Sequence, residues 1–243
     1  MKIDAFTYTN PGSYEKNDDR AIINLNGARD GGIFVLADGL GGHKGGDVAA
    51  QTAADLLSAG TEDGRLMTGG EITSSFSAAN DKILAQQLET GLSRMKTTAV
   101  LLHIADGAAV WAHIGDSRLY YISNGEIVHI TPDQSVSYRK YASGEITFAG
   151  INVDEDRTAL LRALGNIDKF EPKIADAAVE LQRGDAFLLC SDGVWECLFS
   201  EEILIDRLKS ETSKEWAEHM LLRHIRRARP GNDNYTLITV MID

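Results

Sequence analysis

Two periodicities take turns along this chain. Short apolar runs rich in β-branched and aromatic residues predict strands near 2–9, 20–26, 32–37, 97–104, 108–114, 117–123, 126–130, 185–190 and 234–242. Between them, apolar residues recur at helical spacing and predict helices over about 44–59, 71–90, 200–209 and 213–228. In the first of these the repeating positions are Val48, Ala49, Thr52, Ala53, Leu56 and Leu57. Asn124-Gly125, set between two strand runs, is a hairpin signal, because the tightest hairpin turn needs positive φ at both central residues.

Strands interleaved with helix pairs, without a strict strand-helix alternation, point to antiparallel sheets covered by helices, an α+β fold. The 243 residues suffice for one large core and no Pro/Ser-rich linker divides them, so a single domain over 1–243 is expected. One stretch breaks the pattern. Pro132 to Asp156 is polar, contains Gly144 and Gly150, and ends in Asp154, Glu155 and Asp156. A long irregular insert is either functional or a tolerated surface loop, and both readings stand at this point.

Composition narrows the class. The chain has 36 acidic against 24 basic side chains, a net charge of −12, which argues against a general nucleic-acid binder, since that would need a basic face. No run of about 18 apolar residues is present to span a membrane. Met1 to Tyr8 alternates like a strand and lacks the apolar block of a signal peptide, so a cytoplasmic location is expected. Cys190 and Cys197 lack zinc or redox spacing and read as reduced thiols. Arg223, Arg226, Arg227 and Arg229 close the last helix, where cations suit the helix C-terminus; this reads as a solvated helix end, with a docking patch as the alternative.

Candidate chemistry lies at strand ends. The apolar run Gly32–Ala37 leads into Asp38-Gly39-Leu40-Gly41-Gly42-His43, which lifts a carboxylate onto a glycine-rich turn. The device recurs at Gly115-Asp116-Ser117-Arg118, at Ser191-Asp192-Gly193, and at Gly231-Asn232-Asp233-Asn234 just before the last strand. Asp-Gly is also common turn chemistry. Four aspartates gathered at one site would need a neutralising partner, and hard divalent cations with carboxylate ligands are the natural one.

The set NDDR (17–20), ADGLGGH (37–43), TTAV (97–100), GDSR (115–118), LLRALG (160–165), LLCSDG (188–193) and DNYT (233–236) resembles the metal-dependent protein phosphatases, the PPM or type 2C family, in their bacterial form. The motifs follow that family's order from Asn17 to Thr236. The resemblance implies two packed antiparallel β-sheets with helices on both outer faces, an αββα sandwich. It further implies hydrolysis of phosphoserine and phosphothreonine in proteins by a water activated between two Mn²⁺ or Mg²⁺ ions. By correspondence Asp38 bridges the metals, the Gly39 carbonyl binds the second, and Asp192 and Asp233 complete the first. Asp18 holds a metal-bound water and Asp19 orients its neighbours, with a solvated acidic turn as the plain alternative. Asp116, with Asp192, matches a weaker third ion site, and Ser117 and Arg118 serve the strand and its ion pairing. The insert at 132–156 corresponds to a flap beside the active site. Expected partners are phosphoproteins and a cognate protein kinase, without nucleic acid or membrane, for a monomer.

Two positions depart from the family. An arginine that grips phosphate stands shortly before the NDDR-like motif in many members; here the stretch is Gly12-Ser13-Tyr14-Glu15-Lys16-Asn17, with Tyr14 nearest by offset. Lys16 supplies charge but not the planar fork. Leu40 occupies the place of a histidine of eukaryotic members, and His43 reads as structural or peripheral to the site. The missing arginine leaves open a catalytically weak phosphoprotein-binding module on the same fold, and hydrolysis of another phosphomonoester also remains open.

Overall fold

The computed structural model describes residues 1–40, 45–60, 64–90, 92, 94–168 and 170–243. Its strands are β1 (Ile3–Asn10), β2 (Arg20–Leu25), β3 (Gly32–Ala37), β4 (Gly39–Leu40), β5 (Lys96–Thr97), β6 (Ala99–Ala105) and β7 (Ala108–Ile114). They continue with β8 (Arg118–Ser123), β9 (Glu126–Ile130), β10 (Lys173–Ile174), β11 (Val179–Glu180), β12 (Ala186–Cys190) and β13 (Tyr235–Ile242). The helices are α1 (Gly46–Leu57), α2 (Gly69–Thr90), α3 (Val136–Ala142), α4 (Asp192–Trp195), α5 (Ser200–Lys209) and α6 (Ser213–Arg227).

The strands form two main antiparallel sheets. One runs β1-β13-β12-β8-β9; the other runs β10-β7-β6-β3-β2, with β11 also on β7. A two-stranded ribbon, β4-β5, pairs Gly39 with Thr97. Alternation along single strands explains the layering. In β3, Phe34 and Leu36 face the other sheet, where they join Phe187, Leu189, Ile238 and Val240, while Val35 and Ala37 face α1 and α2. In β12, Phe187 and Leu189 point inward and Leu188 and Cys190 meet Trp195, Trp216 and Met220 on the opposite side. Each central strand is thus covered on both faces, which is why it reads as a continuous apolar run. Three apolar layers stacked this way make the expected helix–sheet–sheet–helix sandwich.

Helix ends follow local chemistry. Thr68 and Glu71 bond reciprocally at the start of α2, a capping box, and the Thr212 hydroxyl accepts from the Glu215 N–H at the start of α6. Asn124 and Gly125 both have positive φ, 52° and 77°, and turn β8 into β9. The arginines that close α6 do more than sit in solvent. Arg223 forks onto Asp206 at 2.6 and 2.8 Å, and Arg227 forks onto Glu202 at 2.6 Å, so two of the four tie α6 to α5.

The Pro132–Asp156 insert is regular, unlike its polar sequence. Ser135 caps α3, and a 3₁₀ turn, Phe148–Val153, follows. Ile151 is buried, and Tyr138, Ile146 and Phe148 pack partly buried on the Trp195–Trp216 core. Lys140 pairs with Asp154 at 3.0 Å and Asp156 at 2.8 Å, closing the insert on itself.

Candidate active site

The ends of β3, β7, β12 and the start of β13 deliver Asp38, Asp116, Asp192 and Asp233 to one pocket of about 220 Å³. Asp18 and the backbone of Gly39 line the same pocket; Asp19 lies behind it, 2% exposed. Six of the seven residues singled out from sequence therefore share one cavity, and the seventh supports its floor. His43, with Gly41 and Gly42, lies outside the described residues.

Small residues let these segments approach. A Cβ on Gly39 would strike the Gly46 carbonyl at the start of α1, and one on Gly193 would strike the Asn234 carbonyl. Glycine at both places brings the Asp38 turn onto α1, and the Asp192 turn onto the strand that follows Asp233.

Hydroxyls and one amide then hold the acids. The Asp38 N–H donates to Thr98 Oγ1 at 3.2 Å, while Thr97 Oγ1 and the Thr98 N–H donate to the Asp38 carbonyl at 2.8 and 2.9 Å. Thr98 Oγ1 meets Ser117 Oγ at 2.7 Å, so the TTAV and GDSR motifs are partners in orienting the Asp38 turn. Ser191 Oγ donates to Asp19 Oδ2 at 2.9 Å and accepts from the Thr236 N–H. Asn234 Nδ2 donates to the carbonyls of Pro11 and Lys16, at 2.8 and 3.2 Å, and its Oδ1 accepts from the Asp18 N–H at 2.7 Å. One buried carboxamide thus fastens the loop carrying Tyr14, Lys16 and Asp18 beside Asp233. Sequence reasoning passed over Asn234, Thr98 and Ser191; the available signal was a polar residue with hydrogen-bonding capacity beside each strand-end acid.

The electrostatics are those of acids waiting for a counter-charge. Burial, then repulsion from Asp19, Asp192, Asp116 and Asp233, holds the Asp38 pKa well above the usual carboxylate range. Burial, then repulsion led by Asp116 and Asp233, does the same to Asp192. Burial raises Asp19 to about 7 against the hydrogen bonds from Thr236 and Ser191, and burial with Asp133 raises Asp116 to about 8. The Oδ1 atoms of Asp19 and Asp192 are buried and meet no hydrogen-bond donor among the described residues. No group of three or more Asp, Glu, His or Cys side chains among the described residues is drawn together tightly enough to hold an ion by itself. The oxygen-only donor set and the orphaned buried oxygens fit hard divalent cations.

The other walls differ in character. Leu40 and Leu160 are apolar, Thr158 and Tyr14 amphipathic, and Lys16 is the only Lys or Arg on the lining among the described residues. Lys16 Nζ lies 2.6 Å from Asp47 and 3.9 Å from Asp18. Arg118 lines no part of the pocket; it is buried in an ion pair with Asp133 at 2.6 Å. Cys190 and Cys197 are free thiols.

Such a pocket, built at one end of an αββα sandwich, defines a class of metal-dependent hydrolase. Residues 13–229 match the protein phosphatase 2C family, and this chain belongs to that family. The serine/threonine phosphatase stp of Listeria welshimeri is 34% identical over 242 residues, 93% of this chain and 94% of that protein. The serine/threonine protein phosphatase PstP of Mycobacterium tuberculosis is 31% identical over 237 residues, 93% of this chain and 44% of its own length. Among solved structures, Stp1 from Staphylococcus aureus superposes with a TM-score of 0.86 at 26% identity, covering 100% of this chain and 96% of that one. The PstP catalytic domain in complex with two manganese ions superposes at 0.82 with 29% identity, covering 99% of each chain.

Proposed function

We propose that this pocket hydrolyses the phosphomonoester of phosphoserine and phosphothreonine in proteins, with two divalent cations held by Asp38, Asp192, Asp233 and the Gly39 carbonyl. The observation that carries the reading is the convergence of four strand-end carboxylates on one solvent-accessible pocket, where Asp192 Oδ1 is buried without a hydrogen-bond donor among the described residues. Bound there, the cations supply a water of lowered pKa near neutral pH and offset charge on the phosphoryl oxygens.

The chain's own groups do the rest. The Asp38 backbone is fixed by Thr97 and Thr98, which holds the turn that carries its carboxylate into the pocket shared with Asp192 and Asp233. Asp18, pinned by Asn234, orients water on its side of the pocket, and Asp19, bonded to Ser191, braces the Asp192 turn. Lys16, steadied by Asp47, brings positive charge to the rim where an incoming phosphate dianion needs it. Tyr14, Leu40 and Leu160 flank the aliphatic part of the phosphorylated side chain. No group here must form a covalent phosphoenzyme. Asp116, facing Asp192, holds a weaker third ion, and the insert borders substrate entry.

The same reading takes Mn²⁺ or Mg²⁺ as the ions, phosphoproteins made by a cognate kinase as the substrates, and a cytoplasmic monomer as the working form of a single-domain protein. No helix among the described residues is long and apolar enough to cross a membrane. The test is release of phosphate from a phosphothreonine peptide and of p-nitrophenol from its phosphate ester, with and without Mn²⁺. Turnover of both, abolished by EDTA and restored by Mn²⁺, is expected. Phosphopeptide binding without turnover in saturating Mn²⁺ would overturn the reading.

A further inference from the structure

Arg118 is 1% exposed, a full positive charge at the first position of β8 inside the sandwich. Its fork closes on Asp133, with Nε to Oδ1 at 2.8 Å and Nη2 to Oδ2 at 2.6 Å, and Nη1 donates to Tyr120 Oη at 3.2 Å. The guanidinium carbon lies 3.7 Å above the Trp195 ring and 5.1 Å from the Phe148 ring. Buried ion pairs add little net stability, because desolvating two charges offsets their attraction. The position of this one says more than its energy. Asp133 and Phe148 belong to the Pro132–Asp156 insert. Trp195 ends the short helix that Asp192 begins, and its Nε1–H donates to the Asp116 carbonyl at 2.9 Å. Asn152 adds a second tie, donating from Nδ2 to the carbonyls of Trp195 and Leu198 at 2.8 and 3.1 Å.

One buried cation therefore touches the insert on two sides and stacks on an indole that bonds the Asp116 backbone carbonyl and ends the short helix begun by Asp192. We propose that Arg118 is a positioning residue that couples the insert to the Asp116 side of the pocket, so that the insert's attachment sets how tightly Asp116 holds its ion. This rests on the reading of Asp116 as a cation ligand. Ring and fork suit such a coupling. The planar guanidinium fixes the Asp133 carboxylate in orientation, and the stacked indole has one N–H, already committed to Asp116. Movement of the insert thereby reaches the ion site through rigid groups.

The test uses the full chain and Mn²⁺ calorimetry on four variants, Asp133→Asn, Trp195→Phe, Arg118→Lys and Asp116→Ala, each checked for fold by circular dichroism. Trp195→Phe keeps a ring under Arg118 and loses only the N–H to Asp116, so it answers even if Asp133→Asn fails to fold. Asp133→Asn and Trp195→Phe should keep the tighter Mn²⁺ events and weaken the weakest roughly tenfold, the scale on which supporting partners act on metal affinity. Arg118→Lys, which keeps charge without the fork, should fall between them and the wild type. In an Asp116→Ala background neither change should have a further effect. Hydrogen exchange over residues 133–157 should rise in Asp133→Asn. Faster exchange there with wild-type Mn²⁺ binding would make Arg118 a purely structural anchor and overturn the coupling. An unchanged weak event in Asp116→Ala would remove the premise and the proposal with it, while leaving the two-cation reading of Asp38 to its own assay.

Discussion

Asp116→Asn puts a sign and a size on the claim that these acids await a counter-charge. Asp116 is 3% exposed, and burial together with Asp133 raises its pKa to about 8 when no cation is bound. An unfolded aspartate titrates near 3.9. Between the two values the folded protein keeps a proton that the unfolded chain releases, so stability falls as pH rises from about 4 to about 8. At about 1.4 kcal/mol per pH unit, the wild type without cation is roughly 4 kcal/mol less stable through this group at pH 7 than at pH 4. The asparagine carries no charge and removes that dependence, but its buried amide costs about 1–3 kcal/mol where its donors go unpaired. The net expectation in EDTA is a gain of about 1–3 kcal/mol at pH 7 and a loss near pH 4, where only the amide cost remains. For a chain of this size each kcal/mol moves Tm by about 2–4 °C. Thermal melts of both proteins in EDTA at the two pH values read the effect directly. Mn²⁺ at pH 7 should then raise the wild-type Tm more than that of the variant. A difference between the two proteins that does not change with pH would refute the reasoning.

Three further outcomes are expected. Asp38→Ala should abolish phosphopeptide hydrolysis while the cation-free protein melts no lower than wild type at neutral pH, since the change removes a ligand and relieves carboxylate repulsion; near-wild-type turnover in saturating Mn²⁺ would sink the bridging role. Tyr14→Arg should tighten inorganic phosphate binding about tenfold, the worth of a charge-assisted hydrogen bond, read by competition against p-nitrophenyl phosphate with Tyr14→Lys and Tyr14→Phe beside it; no change with either cation would mean that Lys16 already does the work. Asn234→Ala strips a partner from two carbonyls and one N–H, so a loss of about 2 kcal/mol in stability and a weaker Mn²⁺ affinity are expected together, and an unchanged Mn²⁺ titration would confine Asn234 to stability.

The central strands could be read from sequence because both of their faces are buried, and β3 and β12 carry apolar residues at every position. The strand-end acids were legible for the same reason, since each follows or precedes such a run. The insert was not. Its anchors Tyr138, Ile146, Phe148 and Ile151 are scattered among polar residues, and they become a face only against the Trp195–Trp216 core. β4, β5, β10 and β11, each two residues long, are too short to carry a period. Arg118 could be assigned to ion pairing from its place on a strand, but its partner Asp133 lies in the stretch that read as loop. Arg223 and Arg227 satisfied a helix-end rule, which hid the acids of α5 that they grip. Asn234 was visible inside its motif, yet its work is to join Pro11, Lys16 and Asp18, more than 200 residues away in the chain.

Anomalous diffraction from crystals grown in Mn²⁺ tests the two-cation pocket most directly. Two strong peaks are expected in the pocket, with the Asp38 carboxylate between them and Asp192 and Asp233 on one side, and a third, weaker peak between Asp116 and Asp192. Peaks elsewhere, or a pocket without manganese in crystals of protein that hydrolyses a phosphothreonine peptide, would contradict the assignment of these acids as the cation site.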